Sequence, residues 1–167
     1  MEKIKVAVIG AGGKMGTRTS NNLVTKFPDK FDVKLVETFP PAVERIEKER
    51  GLKVTPVDEA LAFADVVIFA VPDTLIKKLS AEYVPMLKPG TVFLILDPAA
   101  AVAKELTLRD DCTFGVAHPC HPSYFKWQKE EEAYQDRFGG EGGHQDIVMS
   151  CIQGDEEKFK LADRKSV

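Results

Sequence analysis

Gly10-Ala11-Gly12-Gly13-Lys14-Met15-Gly16 joins a short apolar strand, Ile4 to Ile9, to a helical face made by Met15, Thr19 and Leu23 and extended by Val24 and Phe27. A glycine turn at such a junction can bring bare backbone N–H groups and the positive end of a helix against a pyrophosphate. Glycines 10, 12 and 16 make a pattern one residue longer than the tight G-x-G-x-x-G form, while 10, 13 and 16 give G-x-x-G-x-x-G. A tight corner without a ligand is the alternative. The strand before and the helix after favour a dinucleotide held by Gly10, Gly12, Gly13, Lys14, Met15 and Gly16.

Glu37 closes the second strand about twenty residues after the turn, where a carboxylate can accept hydrogen bonds from ribose hydroxyls and repel a 2′-phosphate. Thr38, Phe39 and Pro40 bring no cation to reverse that preference, so NAD is expected over NADP. A solvated strand-end glutamate is the simpler alternative. Val71-Pro72-Asp73 and Asp97-Pro98-Ala99-Ala100 leave the ends of two later strands, where a doubly wound sheet borders its cofactor. Pro72 can shape a wall without adding an unpaired N–H. Asp73 is expected first as a helix cap and second as a ligand. Small residues after Asp97 would let a nicotinamide come close.

His118-Pro119-Cys120-His121-Pro122-Ser123 sets two imidazoles, a thiol and a hydroxyl at the same sheet edge. An imidazole titrating near neutrality can take the proton of an alcohol under oxidation. His118, at the strand end, is expected to handle the proton, and His121 to contact substrate. Zinc bound by His118, Cys120, His121 and either Cys112 or His144 is a rival, but the spacing matches no recognised ligand set, and no metal is expected. A purely structural proline-rich turn is the other rival.

These residues need a frame that gathers strand ends on one edge, and the chain alternates strand and helix signals to supply it. Asp32 to Glu37 is a strand. Pro40-Pro41 opens a helix with Val43, Ile46 and Arg50 on one face and Gly51 at its end. A short strand is expected at Lys53 to Thr55, then a helix from Glu59 to Ala64 capped by Asp58. Asp65 to Val71 and Thr91 to Leu96 read as strands covered on both faces, with a helix carrying Leu75, Leu79 and Tyr83 between them. Beyond them come a helix from Ala99 to Leu106, a strand from Thr113 to Ala117 and a charged helix from Lys126 to Arg137. A glycine-rich loop at 139–143, a strand from Gln145 to Ile152 and a helix from Asp155 complete the chain. The order predicts an α/β fold: a doubly wound, mostly parallel sheet of the Rossmann dinucleotide-binding type.

The 167 residues suit one domain, 1–167, and a net charge of −3 offers no general attraction to nucleic acid or membrane. No apolar run reaches membrane-spanning length, and Met1-Glu2-Lys3 leads straight into the first strand. Three cysteines, without close pair spacing, read as reduced thiols in a cytoplasmic protein.

The glycine turn ending in Met15-Gly16, the strand end Ala70-Val71-Pro72-Asp73, the turn Leu87-Lys88-Pro89-Gly90 before a strand closing in Asp97, and His118-Pro119 together resemble the 6-phosphogluconate dehydrogenase-like superfamily. Within it, the extended glycine turn and the His-Pro-Cys-His-Pro segment are similar to the D-apionate oxidoisomerase type. The resemblance implies a helical second domain that completes the active site and forms a homodimer, and 1–167 is expected to lack it. It further implies an NAD-dependent oxidoreductase of a small hydroxy acid and, for the sugar-acid type, oxidation coupled to rearrangement. A stand-alone NAD(H)-sensing module acting through a partner is the alternative.

Overall fold

The computed structural model describes residues 2–120, 131–136 and 146–163. Six strands form one sheet in the order β2-β1-β3-β4-β5-β6: β1 Ile4–Ile9, β2 Phe31–Val36, β3 Val66–Phe69, β4 Val92–Ile95, β5 Thr113–Pro119 and β6 Ile147–Gln153. The first five run parallel, and β6 lies antiparallel on β5. The helices are α1 Lys14–Asn21, α2 Pro40–Lys48, α3 Val57–Phe63, α4 Asp73–Tyr83, α5 Ala99–Val102 and α6 Glu156–Asp163. The expected Rossmann-type architecture is therefore present.

Alternation along the strands divides the core into two faces. Ala7, Ile9, Val67, Phe69, Phe93, Ile95, Phe114 and Val116 point to the side covered by α3, α4 and α5. Val6, Val8, Leu35 and Ile68 point to the other, against Leu23 beyond α1 and Ile46 of α2. Both faces are apolar because both are covered, which explains why Val6 to Ile9 of β1, and β3 and β4 throughout, read as unbroken hydrophobic runs. Phe69, Phe93 and Phe114 stack across three neighbouring strands with ring centroids 5.0 and 5.7 Å apart. Each fully buried ring contributes about 1.5–3 kcal/mol by leaving water. On the second face Phe159 of α6 packs with Val92 and Leu94, and lies where any side chain on Gly115 would be.

Several elements differ from expectation. α1 passes into a π-helical turn, Asn22–Lys26, which keeps Leu23 buried. Lys53 to Thr55 supplies only an isolated bridge from Val54 to Leu35. Asp58 lies inside the first turn of α3, where its charge suits the helix dipole, and Pro56 takes the cap position. Asp73 likewise begins α4 behind Pro72. α5 stops at Val102, well short of Leu106, because Lys104 turns left-handed at φ 57°. Its N–H bonds to Ala101 O and that of Glu105 to Ala100 O, a Schellman-type ending in which lysine stands where glycine is usual. Within the span expected as a charged helix, the described residues form a 3-10 turn, Glu131–Tyr134. That turn buries Ala133 and is followed by Asp136, paired with Arg18 of α1 at 2.5 Å.

Candidate functional site

The glycine turn is tied to the sheet before it can serve a ligand. The N–H groups of Gly10 and Ala11 both bond to Val36 O at the end of β2, at 2.9 and 3.1 Å. Gly12 N–H bonds to Glu37 Oε2 at 2.9 Å, and Gly13 N–H to Gly10 O at 3.1 Å. The first helical bond of α1 runs from Thr17 N–H to Gly13 O. The donors without an intrahelical acceptor are therefore those of residues 14–16, at the positive end of the dipole. An anion would meet the helix start, with the glycines clearing the way.

Each glycine clears a different neighbour. Gly10 sits at φ +78°, and a Cβ there would come within 2.6 Å of Ala70 O. A Cβ on Gly16 would overlap the Gly10 carbonyl, so Gly16 seats α1 on β1 and lines neither crevice described below. Gly12 faces Ala42 of α2 and the Glu37 carboxylate. Gly13 is exposed; its nearest neighbours to a Cβ would be Gly10 O at 3.4 Å and Ala70 O at 3.8 Å.

Glu37 is fixed by the backbone. Its Oε2 accepts from Gly12, and its Oε1 from Thr38 N–H at 2.9 Å and Phe39 N–H at 3.0 Å. A carboxylate offers about four lone-pair sites, so about one remains for a ligand hydroxyl. Arg45, one turn beyond Ala42 on α2, donates from Nη2 to Gly12 O at 3.1 Å. Arg45 lies beyond Thr38 to Pro40, the residues that follow Glu37 directly, and is not among the expected site residues. It lies one turn from Ala42, the residue that abuts Gly12, a proximity made by the fold and not announced by any local pattern.

Two adjoining crevices open along the carboxyl edge, at the point between β1 and β3 where the strand order reverses. The first, of about 400 Å3, has Gly10, Gly12, Gly13, Glu37 and Arg45 on one side and Val71, Pro72, Leu75 and Leu79 on the other. Phe39, at 62% exposure, and Leu75 stand at its rim. The second, of about 360 Å3, brings together Gly13, Lys14, Met15, Val71, Pro72, Asp73, Asp97 and His118. Gly13, Val71 and Pro72 belong to both.

His118, expected at a strand end, is the next-to-last residue of β5 and lies opposite Val148 of β6. Its Nδ1 is 2.9 Å from Leu96 O. A carbonyl only accepts, so Nδ1 carries the hydrogen in that bond and the neutral ring keeps its lone pair on Nε2. Asp97 Oδ1 accepts from Ala99 N–H at 2.8 Å and holds the turn into α5.

His121 and His144 lie outside the described residues. Among the described residues no three His, Cys, Asp or Glu side chains gather as a metal site. The three cysteines are free, and burial pushes the Cys112 and Cys151 thiols up. Among the described residues no helix is long and apolar enough to cross a membrane.

Comparison with known proteins bears on the same region. Residues 1–120 match the acetohydroxy acid isomeroreductase, NADPH-binding domain family. The chain is 70% identical over 159 residues to a D-apionate oxidoisomerase of Blautia hydrogenotrophica, a match covering 95% of this chain and 55% of that protein. It is 44% identical over 161 residues to a D-apionate oxidoisomerase of Cupriavidus necator, covering 96% and 57%. It also superposes with TM-score 0.90 and 42% identity on a semialdehyde dehydrogenase NAD-binding protein from Cupriavidus necator solved with calcium and NAD, covering 99% of this chain and 59% of that one. The chain thus spans little more than half the length of the relatives it matches. The similarity to the D-apionate oxidoisomerase type that the motifs suggested holds along nearly the whole chain.

Proposed function

We propose, because this chain belongs to the acetohydroxy acid isomeroreductase NADPH-binding domain family, that it is the cofactor-binding half of an NAD-dependent oxidoreductase. The substrate in this reading is a small hydroxy acid of the D-apionate kind, oxidised with rearrangement; support for it comes from the relatives named D-apionate oxidoisomerase. The observation that carries this reading is the pair of adjoining crevices that share Gly13, Val71 and Pro72 and extend from Glu37, past the start of α1, to His118. The open face of Gly13 fits a dinucleotide, since it leaves room for a pyrophosphate beside the first-turn donors of α1.

In this reading Glu37 accepts from the adenosine ribose, Gly10, Gly12, Gly13, Lys14, Met15 and Gly16 form and support the pyrophosphate seat, and Val71, Pro72, Asp73 and Asp97 wall the nicotinamide end. A bound nicotinamide supplies the hydride acceptor for the carbinol carbon. His118 Nε2 takes the hydroxyl proton, and the imidazolium that forms stays oriented by Nδ1–H on Leu96 O. His121 contacts the substrate. The complete enzyme works as a homodimer in the cytoplasm, with the remaining half of its length closing the reaction off from water.

Isothermal titration of the 167-residue chain with NAD, NADH, NADP and NADPH tests the cofactor assignment. Tighter binding of the NAD pair is expected, and equal or stronger NADP binding would overturn the role given to Glu37.

A further inference from the structure

Glu37 and Arg45 hold the two peptide units that flank the Gly12 Cα: the carboxylate takes the Gly12 N–H at 2.9 Å and the guanidinium donates to the Gly12 carbonyl at 3.1 Å. Both line the adenosine side of the first crevice. Arg45 is exposed, and its carbonyl bond uses one of five N–H donors, so most of the planar fork stays available to an anion at that rim. The carboxylate, with three of its acceptor sites taken by backbone, is an anion fixed in the same place. A phosphate on the ribose 2′-oxygen would meet both charges at once.

We infer that Arg45 gives this site a latent capacity for the 2′-phosphate of NADP, and that Glu37 suppresses it. Cofactor choice is then a contest between two fixed charges, and removing one should reveal the other. The inference rests on the dinucleotide reading above and adds a specificity-determining residue to it.

Direct titration of NAD and NADP into the wild-type chain, Glu37→Gln, Arg45→Gln and the double variant tests it, with thermal melts to verify folding. Glu37→Gln should bind NADP about tenfold more tightly than wild type, and the double variant should lose that gain. Arg45→Gln alone should weaken NADP by about tenfold and change NAD by less than about threefold. This second variant leaves the Glu37 acceptor set intact, so it remains decisive if Glu37→Gln fails to fold. An equal gain in the single and double variants, or NADP affinity indifferent to Arg45, would overturn the inference while leaving NAD binding in place. Failure of wild type to bind either dinucleotide would overturn the dinucleotide reading itself, and this inference with it.

Discussion

Gly13→Ala separates the folding role of the glycine turn from its proposed ligand role. Gly13 caps α1 at φ −71° and ψ 169°, a conformation that alanine adopts without strain. The new Cβ would have Gly10 O at 3.4 Å and Ala70 O at 3.8 Å, within ordinary contact distance. A less favourable cap and a less flexible unfolded chain act in opposite directions, so stability should move by less than about 1 kcal/mol. The methyl would nevertheless stand on the wall shared by both crevices, beside the N–H groups that receive the pyrophosphate. Displacing a phosphate from one charge-assisted hydrogen bond costs about 1.5–3 kcal/mol, so NAD affinity should fall at least about tenfold. Gly16→Ala is the contrast: its methyl would overlap the Gly10 carbonyl, and melting should show a loss of about 1–3 kcal/mol or more. Circular dichroism melts and NAD titration on the same samples read both quantities. Unchanged NAD binding by Gly13→Ala and by Gly13→Val would refute the reasoning, because the pyrophosphate could not then pass this wall.

In an enzyme of the relatives' full length, His118→Asn should lower kcat by about 100-fold or more with NAD affinity nearly intact, read by steady-state kinetics beside cofactor titration. Phe159→Ala should cost about 3 kcal/mol in urea unfolding, since the ring fills the space above Gly115; a loss under about 1 kcal/mol would mean that α6 adds little to the core. Burial raises the folded Cys112 thiol above its ordinary 9.0, so its stabilising contribution is complete below that pH and is lost as pH rises through the folded value. Urea unfolding at about pH 8 and pH 10.5 should therefore show a smaller alkaline loss in Cys112→Ala than in wild type.

The legible parts of the fold were those whose cause is local. Val6 to Ile9 of β1, β3 and β4 are continuous apolar runs because helices cover both faces of the sheet, and the glycine turn is legible in part because Gly16 answers a contact with Gly10 within the same strand–helix unit. Most of what escaped depends on distant partners, the ending of α5 being a local exception. Val54 makes one bridge to Leu35, and nothing in Lys53 to Thr55 says that pairing ends there. α5 has good helix formers as far as Leu106, but backbone bonds onto Ala100 and Ala101 close it with Lys104 left-handed. β6 lengthens β5 through His118 and Pro119, so the imidazole is held by a ladder formed with residues nearly thirty positions away. Arg45 reaches the Gly12 carbonyl across two elements, and no local pattern announces it.

The doubly held backbone of Gly12 bears on how cofactor capture would divide between enthalpy and entropy. Ordering a flexible backbone residue costs about 1–2 kcal/mol at room temperature, and a loop that tightened around its ligand would meet that cost again at each binding event. Here Glu37 and Arg45 fix the peptide units on either side of Gly12, while Val36 O fixes the two N–H groups before it. The loss of freedom falls on folding, once. Capture by such a rigid seat should show a heat-capacity change set by ligand surface alone, without the added increment that accompanies a segment folding onto its ligand.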